Sequence, residues 1–324
     1  MLADSLKELT ADFKLVSYLE YNKISKYYPI FSLYREYPRF FMSLLYLTQS
    51  KDYYYGIVND CLCIIKKKMI GYPIVYLVIP PIHKNGDPRV ESDTLKLFNK
   101  VKIKTRLSEE DLKLYDIDLK LVTRDKDLDE FIYDIKEAIL LEGGNYSQFR
   151  RYKRKYTGYT ECFPSSHIKN DIILNAKELN ETWSLYKERD YNGNNDCHVY
   201  DDTISSFIGL RTNNIKFTGL VDNGLICYDL SENVGEGVII TTRYFNYYHP
   251  KVNNSVYILH NLTCSNWQEY KYANFGSCVG NKELYESKSR LKPCKILELY
   301  NFKYQYKFTK EEYDSICPVK NFWF

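Results

Sequence analysis

No stretch of this chain approaches the roughly 18–20 consecutive apolar residues that a membrane span needs. The longest apolar run, around Ile74 to Ile82, has the length of a buried strand. The nine cysteines contain no Cys-x-x-Cys pair, although Cys61 and Cys63 lie two apart, and in a strand would share a face. A structural zinc site draws four ligands from tight pairs, and His83, His167, His198, His249 and His260 show no ligand spacing either. Walker A, GxSxG and HExxH sequences are missing, so nothing announces a P-loop enzyme, an α/β-hydrolase or a zinc peptidase. The opening MLADSLKELTADF lacks the basic-then-apolar order of a signal peptide. Charge of one sign is scarce too: 45 Lys+Arg against 42 Asp+Glu leave +3, a local rather than a global field. These absences lead us to expect a cytoplasmic protein with reduced thiols and no metal.

What is present is a foldable chain. Its 324 residues suggest about two domains, and an aromatic fraction of 16% supplies more burial than a disordered chain carries. The 33 tyrosines, with abundant Asn and Lys, suit an AT-rich coding genome, as in a phage or a low-GC bacterium. Leu6, Leu9, Phe13, Val16 and Leu19 have helical spacing. From Tyr53 to Ile82 two β-rich runs flank a lysine triplet, and Pro80 and Pro81 end the second. A helix over 91–101, a strand over 117–122 and a long helical region over 125–156, interrupted at Gly143 and Gly144, follow. Beyond Pro164 the pattern predicts a short strand at 171–174 and helices at 180–187 and 202–210. A hairpin at 215–230 turns through Val221-Asp222-Asn223-Gly224. Strands at 237–245, 272–275 and 296–302 alternate with helices at 256–270 and 282–291. The fold class expected is α/β (α+β), with mostly antiparallel sheets flanked by helices. The second half partly repeats the first, with domains at 1–160 and 161–324.

Two segments could carry chemistry. Arg150, Arg151, Lys153, Arg154 and Lys155 are interleaved with Tyr146, Tyr152 and Tyr156. Such cations bind phosphates and such rings stack on bases; a solvated helix end would also collect cations. Asn274-Phe275-Gly276 leads through Gly280 to Leu284, Lys288 and Pro293. Free N–H groups where a helix starts can hold an anion, and a plain β–α connection would use the same residues.

Four landmarks, in order, resemble a known family. They are Phe31-Ser32-Leu33-Tyr34-Arg35; Tyr76 to Pro81 with Lys84, Gly86 and Asp87; Asp127 to Asp134 with Leu141-Glu142-Gly143 and Tyr146 to Arg150; and Asn274 with Gly280, Leu284, Lys288 and Pro293. The chain is similar in them to the domain of unknown function that forms the C-terminal catalytic part of lysyl-phosphatidylglycerol synthases. That group looks like two tandem N-acetyltransferase-type (GNAT) folds and is related to the Fem aminoacyl ligases.

The resemblance implies a transferase whose donor is aminoacyl-tRNA or acyl-CoA, with tRNA as a partner in the first case and an amine or hydroxyl as acceptor. It assigns Lys288 and Arg150 to catalysis, and Arg151, Arg154, Asn274, Gly276 and Gly280 to the donor. Asp202, Glu269 and His249 are the candidate general bases. Gly276, Cys278 and Tyr285 stand where lysyltransferase-like members carry Glu, Asp and Arg, which argues against phosphatidylglycerol as acceptor. Two alternatives compete: a binding protein that kept the fold without catalysis, and a phage protein that modifies nucleic acid.

Overall fold

From Cys61 onward, alternate side chains part company. Leu62 and Ile64 enter one core, while Cys61, Cys63 and Ile65 enter another, the two-residue period of a strand buried on both faces. The computed structural model describes residues 2–49, 51–70, 72–190, 199–245, 249, 252–303 and 307–316. Its first sheet is β1 (Lys14–Leu15), β2 (Tyr53–Val58), β3 (Cys61–Ile70) and β4 (Tyr72–Leu77), with β5 (Ile82–His83) also on β3 and β6 (Lys104–Thr105) beyond β4. All neighbours are antiparallel except β4 and β6. That parallel pair needs a crossover, which the helix Pro88–Lys100 supplies, started by Pro88 and by an Asp87 side chain that caps Arg89 N.

Two short strands, β7 (Leu107–Ser108) and β8 (Val122–Arg124), precede the second sheet. That sheet contains β9 (Glu130–Asp134), β10 (Tyr159–Pro164), β11 (Ile215–Val221), β12 (Leu225–Asn233), β13 (Gly237–Phe245), β14 (Tyr272–Asn274) and β15 (Lys295–Leu297). The spatial order is β10-β11-β12-β13-β14-β9-β15. Again one pair is parallel, β13 with β14, joined across the helix Val252–Ser265. Each sheet thus contains an antiparallel run that meets one parallel neighbour.

The halves interleave. β9 pairs with β14 and β15, and the last strand, β16 (Leu299–Phe302), returns to β7 and β8. A division at 160 leaves β9, with the helices Ile135–Leu140 and Ser147–Lys155, on the wrong side of the cut from the sheet they build on. Local readings also change: the strand expected at 117–122 begins only at Val122, after a 3-10 turn at Leu119–Leu121, and the one expected at 296–302 is two strands, β15 and β16. The part of 125–156 ahead of the break at Gly143 and Gly144 is not helical as a whole, because Phe131, Ile132 and Tyr133 are buried in β9 between two partners. Residues 171–174 belong to the helix Asn170–Asp190, whose Ile172, Ile173, Ala176 and Leu179 are buried at helical spacing. Four apolar-rich residues are too few to tell the two periods apart.

Residues 28–46 fasten the halves together. Arg35 and Arg39, both buried, share Asp111 at 2.6 and 2.9 Å. Phe40 N donates to Glu130, while the Tyr28 hydroxyl, the Ser43 hydroxyl and Leu45 N all donate to Glu232 of β12. The largest core lies here, with Tyr28, Phe31 and Leu44 packed among Ile64 of one sheet and Phe217 and Tyr228 of the other.

Candidate active site

The pair β13 and β14 stays together for three residues only, ending at Ile239 and Asn274. Past that point the chain after Asn274 turns to β9: Phe275 N donates to Phe131 O, and Phe131 N to Gly276 O. β13 continues for six more residues, to Phe245, with no strand partner on that side among the described residues. It carries a bulge where it parts, since Leu230 pairs with Thr242 and Ser231 with Ile240, leaving Thr241 over. Bulges of this kind free a backbone position and re-aim side chains.

The gap between the parted strands holds a buried polar cluster. Asp229, fully buried, accepts from Arg243 Nε and Nη2 at 2.7 and 2.8 Å and from the Thr263 hydroxyl at 2.9 Å. The Arg243 guanidinium sits 4.8 Å from the Phe275 ring centroid. His260 is packed between the rings of Tyr133 (4.9 Å) and Phe275 (5.0 Å), fully buried. Neither of its nitrogens has a hydrogen-bond partner among the described residues. Burial, and then the Arg243 charge, hold its pKa well below the usual histidine range. The Tyr133 hydroxyl donates to Lys288 O at 2.8 Å.

The residues chosen from sequence divide into two groups. Lys288 spends its ammonium on three successive carbonyls, those of Phe275, Gly276 and Ser277. Burial, with a contribution from Arg243, pulls its pKa down to about 8. Asn274 is buried; its amide donates to Pro38 O and Glu130, and its oxygen accepts from Gly276 N at 2.7 Å. Gly276 and Gly280 have φ of +66° and +74°, and a Cβ on Gly276 would stand 2.8 Å from the Phe40 ring. These residues therefore meet in one loop beside the gap. Arg150 lies elsewhere, donating to the carbonyls of Leu141 and Gly143 at the end of the helix Ile135–Leu140. Arg151 and Arg154 are exposed on its helix.

Of the candidate bases, Glu269 is exposed and faces Lys216. His198 and the side chain of Asp202 lie outside the described residues. Sequence reasoning passed over Asp229, Arg243 and His260. The available signal was a pair of opposite charges, Asp229 and Arg243, inside two apolar-rich runs, LICYDL and GVIITTRYF.

A cavity of about 500 Å³ opens nearby, between the start of the helix Ser147–Lys155 and the end of the helix Lys282–Arg290. Tyr257, one helical turn from His260, lines it together with Arg290 and Lys292.

No family model and no curated protein matches this sequence. Solved structures do. A conserved protein of unknown function from Bacteroides thetaiotaomicron superposes with a TM-score of 0.69 at 16% identity, covering 90% of this chain and 98% of that one. The C-terminal domain of a protein described as a lysylphosphatidylglycerol synthetase, from Agrobacterium fabrum, gives 0.61 at 12% identity, covering 89% and 93%. FemX gives 0.53 at 11% identity, covering 89% and 96%. The chain has their fold. It is the fold implied by the four landmarks, extended over nearly the whole length of each chain. No helix among the described residues is long and apolar enough to cross a membrane.

Proposed function

We propose that the chain is a cytoplasmic acyl or aminoacyl transferase. It takes its acyl group from a polyanionic donor, aminoacyl-tRNA or acyl-CoA, and passes it to an amine or hydroxyl. The observation that carries this reading is the parting of β13 from β14 beside a cavity lined by Arg290 and Lys292. An extended donor arm can lie in such a gap, and an amide of the bulged strand can donate to the carbonyl oxygen as charge develops on it. Holding donor and acceptor in line supplies much of the remaining rate. The exposed Arg151 and Arg154 add a salt-sensitive attraction for phosphates. Lys288 and Arg150 act at one remove, by fixing the carbonyls of residues 275–277 and 141–143. The fold shared with FemX and the lysylphosphatidylglycerol synthetase domain supports a transferase.

A binding protein without chemistry is the second reading, and one observation favours it. Both residues assigned to catalysis from sequence are engaged by backbone carbonyls. A thermal-shift experiment with acetyl-CoA, longer acyl-CoAs, and charged and uncharged tRNA separates the two. A donor at a hundred times its Kd should add about 2.7 kcal/mol. Stabilisation by one donor class selects that class; no shift with any of them removes the transferase reading.

A further inference from the structure

One side-chain amide shapes the loop beside the gap between β13 and β14. Asn274, fully buried at the end of β14, carries an oxygen at one end of its amide and two N–H donors at the other. Three contacts agree on a single orientation. Its Nδ2 donates to Glu130 Oε2 and to Pro38 O, both at 2.6 Å, and its Oδ1 accepts from Gly276 N at 2.7 Å. Turned over, the amide oxygen would face a carboxylate and a carbonyl, and the amide N–H groups would face an N–H. The bond from Oδ1 to the backbone amide two residues on is an Asx turn. Around that turn the carbonyls of Phe275, Gly276 and Ser277 all reach Lys288. The Phe275 ring lies against His260 and Arg243.

Glu130 supplies the carboxylate of this set, and residues 38–40 of the first half surround it. Its Oε2 also accepts from Phe40 N at 3.1 Å and lies 3.6 Å from Arg39 Nε, while Arg39 is itself held on Asp111. The Phe40 ring covers Gly276 so closely that a Cβ there would stand 2.8 Å away. We propose that Glu130 is a positioning residue for the transferase site, acting through Asn274, and that residues 38–40 bring the first half of the chain to bear on it. A carboxylate accepts more strongly than a neutral oxygen, and a buried donor left unmet is costly. Glu130 therefore holds the amide the right way round, and with it the wall of the gap. Calling that wall part of a transferase site rests on the reading above; the shaping of the loop does not.

The test pairs hydrogen exchange with donor binding in the full chain. In the wild type the Asn274 Nδ2 protons should exchange at least about a hundredfold more slowly than those of the exposed Asn145. Glu130→Gln keeps an acceptor of the same shape and should leave exchange of the Gly276 amide within about threefold of wild type. Glu130→Met removes the acceptor and should speed that exchange at least about tenfold, with the β12 amides unchanged as the check on global stability. Acetyl-CoA, longer acyl-CoAs and charged tRNA are then titrated. The donor that stabilises wild type should bind Glu130→Met at least about tenfold more weakly, and Glu130→Gln within about threefold. Fast exchange of the Asn274 side chain in the wild type, or an unmoved Gly276 amide in folded Glu130→Met, overturns the shaping of the loop. Donor binding unchanged in Glu130→Met, or weakened as much in Glu130→Gln, overturns the positioning role and leaves the transferase reading standing. If no donor stabilises wild type, the transferase reading and the positioning role both fail, and the exchange results decide the loop alone.

Discussion

The two parallel strand pairs have the same connectivity and opposite registers. In the first half, β4 meets β6 through its last residues, Tyr76 and Leu77. Pro80 and Pro81 follow at once, and the chain leaves to form β5 on β3. In the second half, β13 meets β14 through its first residues, Gly237 to Ile239, and then continues with no strand partner on that side among the described residues. Each seam has an arginine. Arg106 lies between the rings of Phe41 and Tyr76, 4.4 and 4.2 Å away, and donates to the Tyr76 hydroxyl. Arg243 is held by Asp229. A repeat can thus close a seam or open a cleft according to where along the leading strand the parallel contact falls.

This contrast can be broken by experiment. Asp229→Ala should have the largest effect, because it leaves the partly buried Arg243 guanidinium and the buried Thr263 hydroxyl without their carboxylate; the expected loss is about 3 kcal/mol. Urea denaturation measures it, and a loss below about 1 kcal/mol would mean that the open seam does not depend on this pair.

Glu232 tests how the repeats are joined. Burial raises its carboxyl from 4.5 to about 7, so between those values the folded chain holds a proton that the unfolded chain has released. Stability should therefore fall as pH rises from about 4.5 to 7, by up to about 3 kcal/mol. Glu232→Gln should flatten that part of the profile, and an unchanged slope in the variant would assign the dependence to another group. The smallest effect belongs to the closed seam. Arg106→Met should cost about 1 kcal/mol in urea denaturation, and an unchanged unfolding midpoint would mean that the closed seam does not depend on this cation.

Much of the architecture was legible in the residues. The period of two at Cys61 to Ile65, the Asp-Asn-Gly hairpin and the Asn274-to-Lys288 connection each reflect a local rule, and each stands as read. β9 was not legible, since Glu130-Phe131-Ile132-Tyr133-Asp134 is a strand because β14 and β15 flank it, and both partners lie more than a hundred residues on. The chemistry followed the same division. Lys288 and Arg150 were visible as charges near glycines, but their use as clamps on carbonyls depends on where loops 275–277 and 141–143 pass. Asp229, Arg243 and His260 come together only when three elements pack.

The return of β16 to β7 has a consequence for biosynthesis. Ser108 meets Leu299 across 191 residues. At about 5–20 residues per second of translation, the ribosome needs roughly 10–40 s to supply that partner. During this interval the first half leaves the exit tunnel with β7 and β8 unpaired by their shared neighbour. Such edges attract other chains, so a chaperone that shields nascent strands would have its clearest role in that interval.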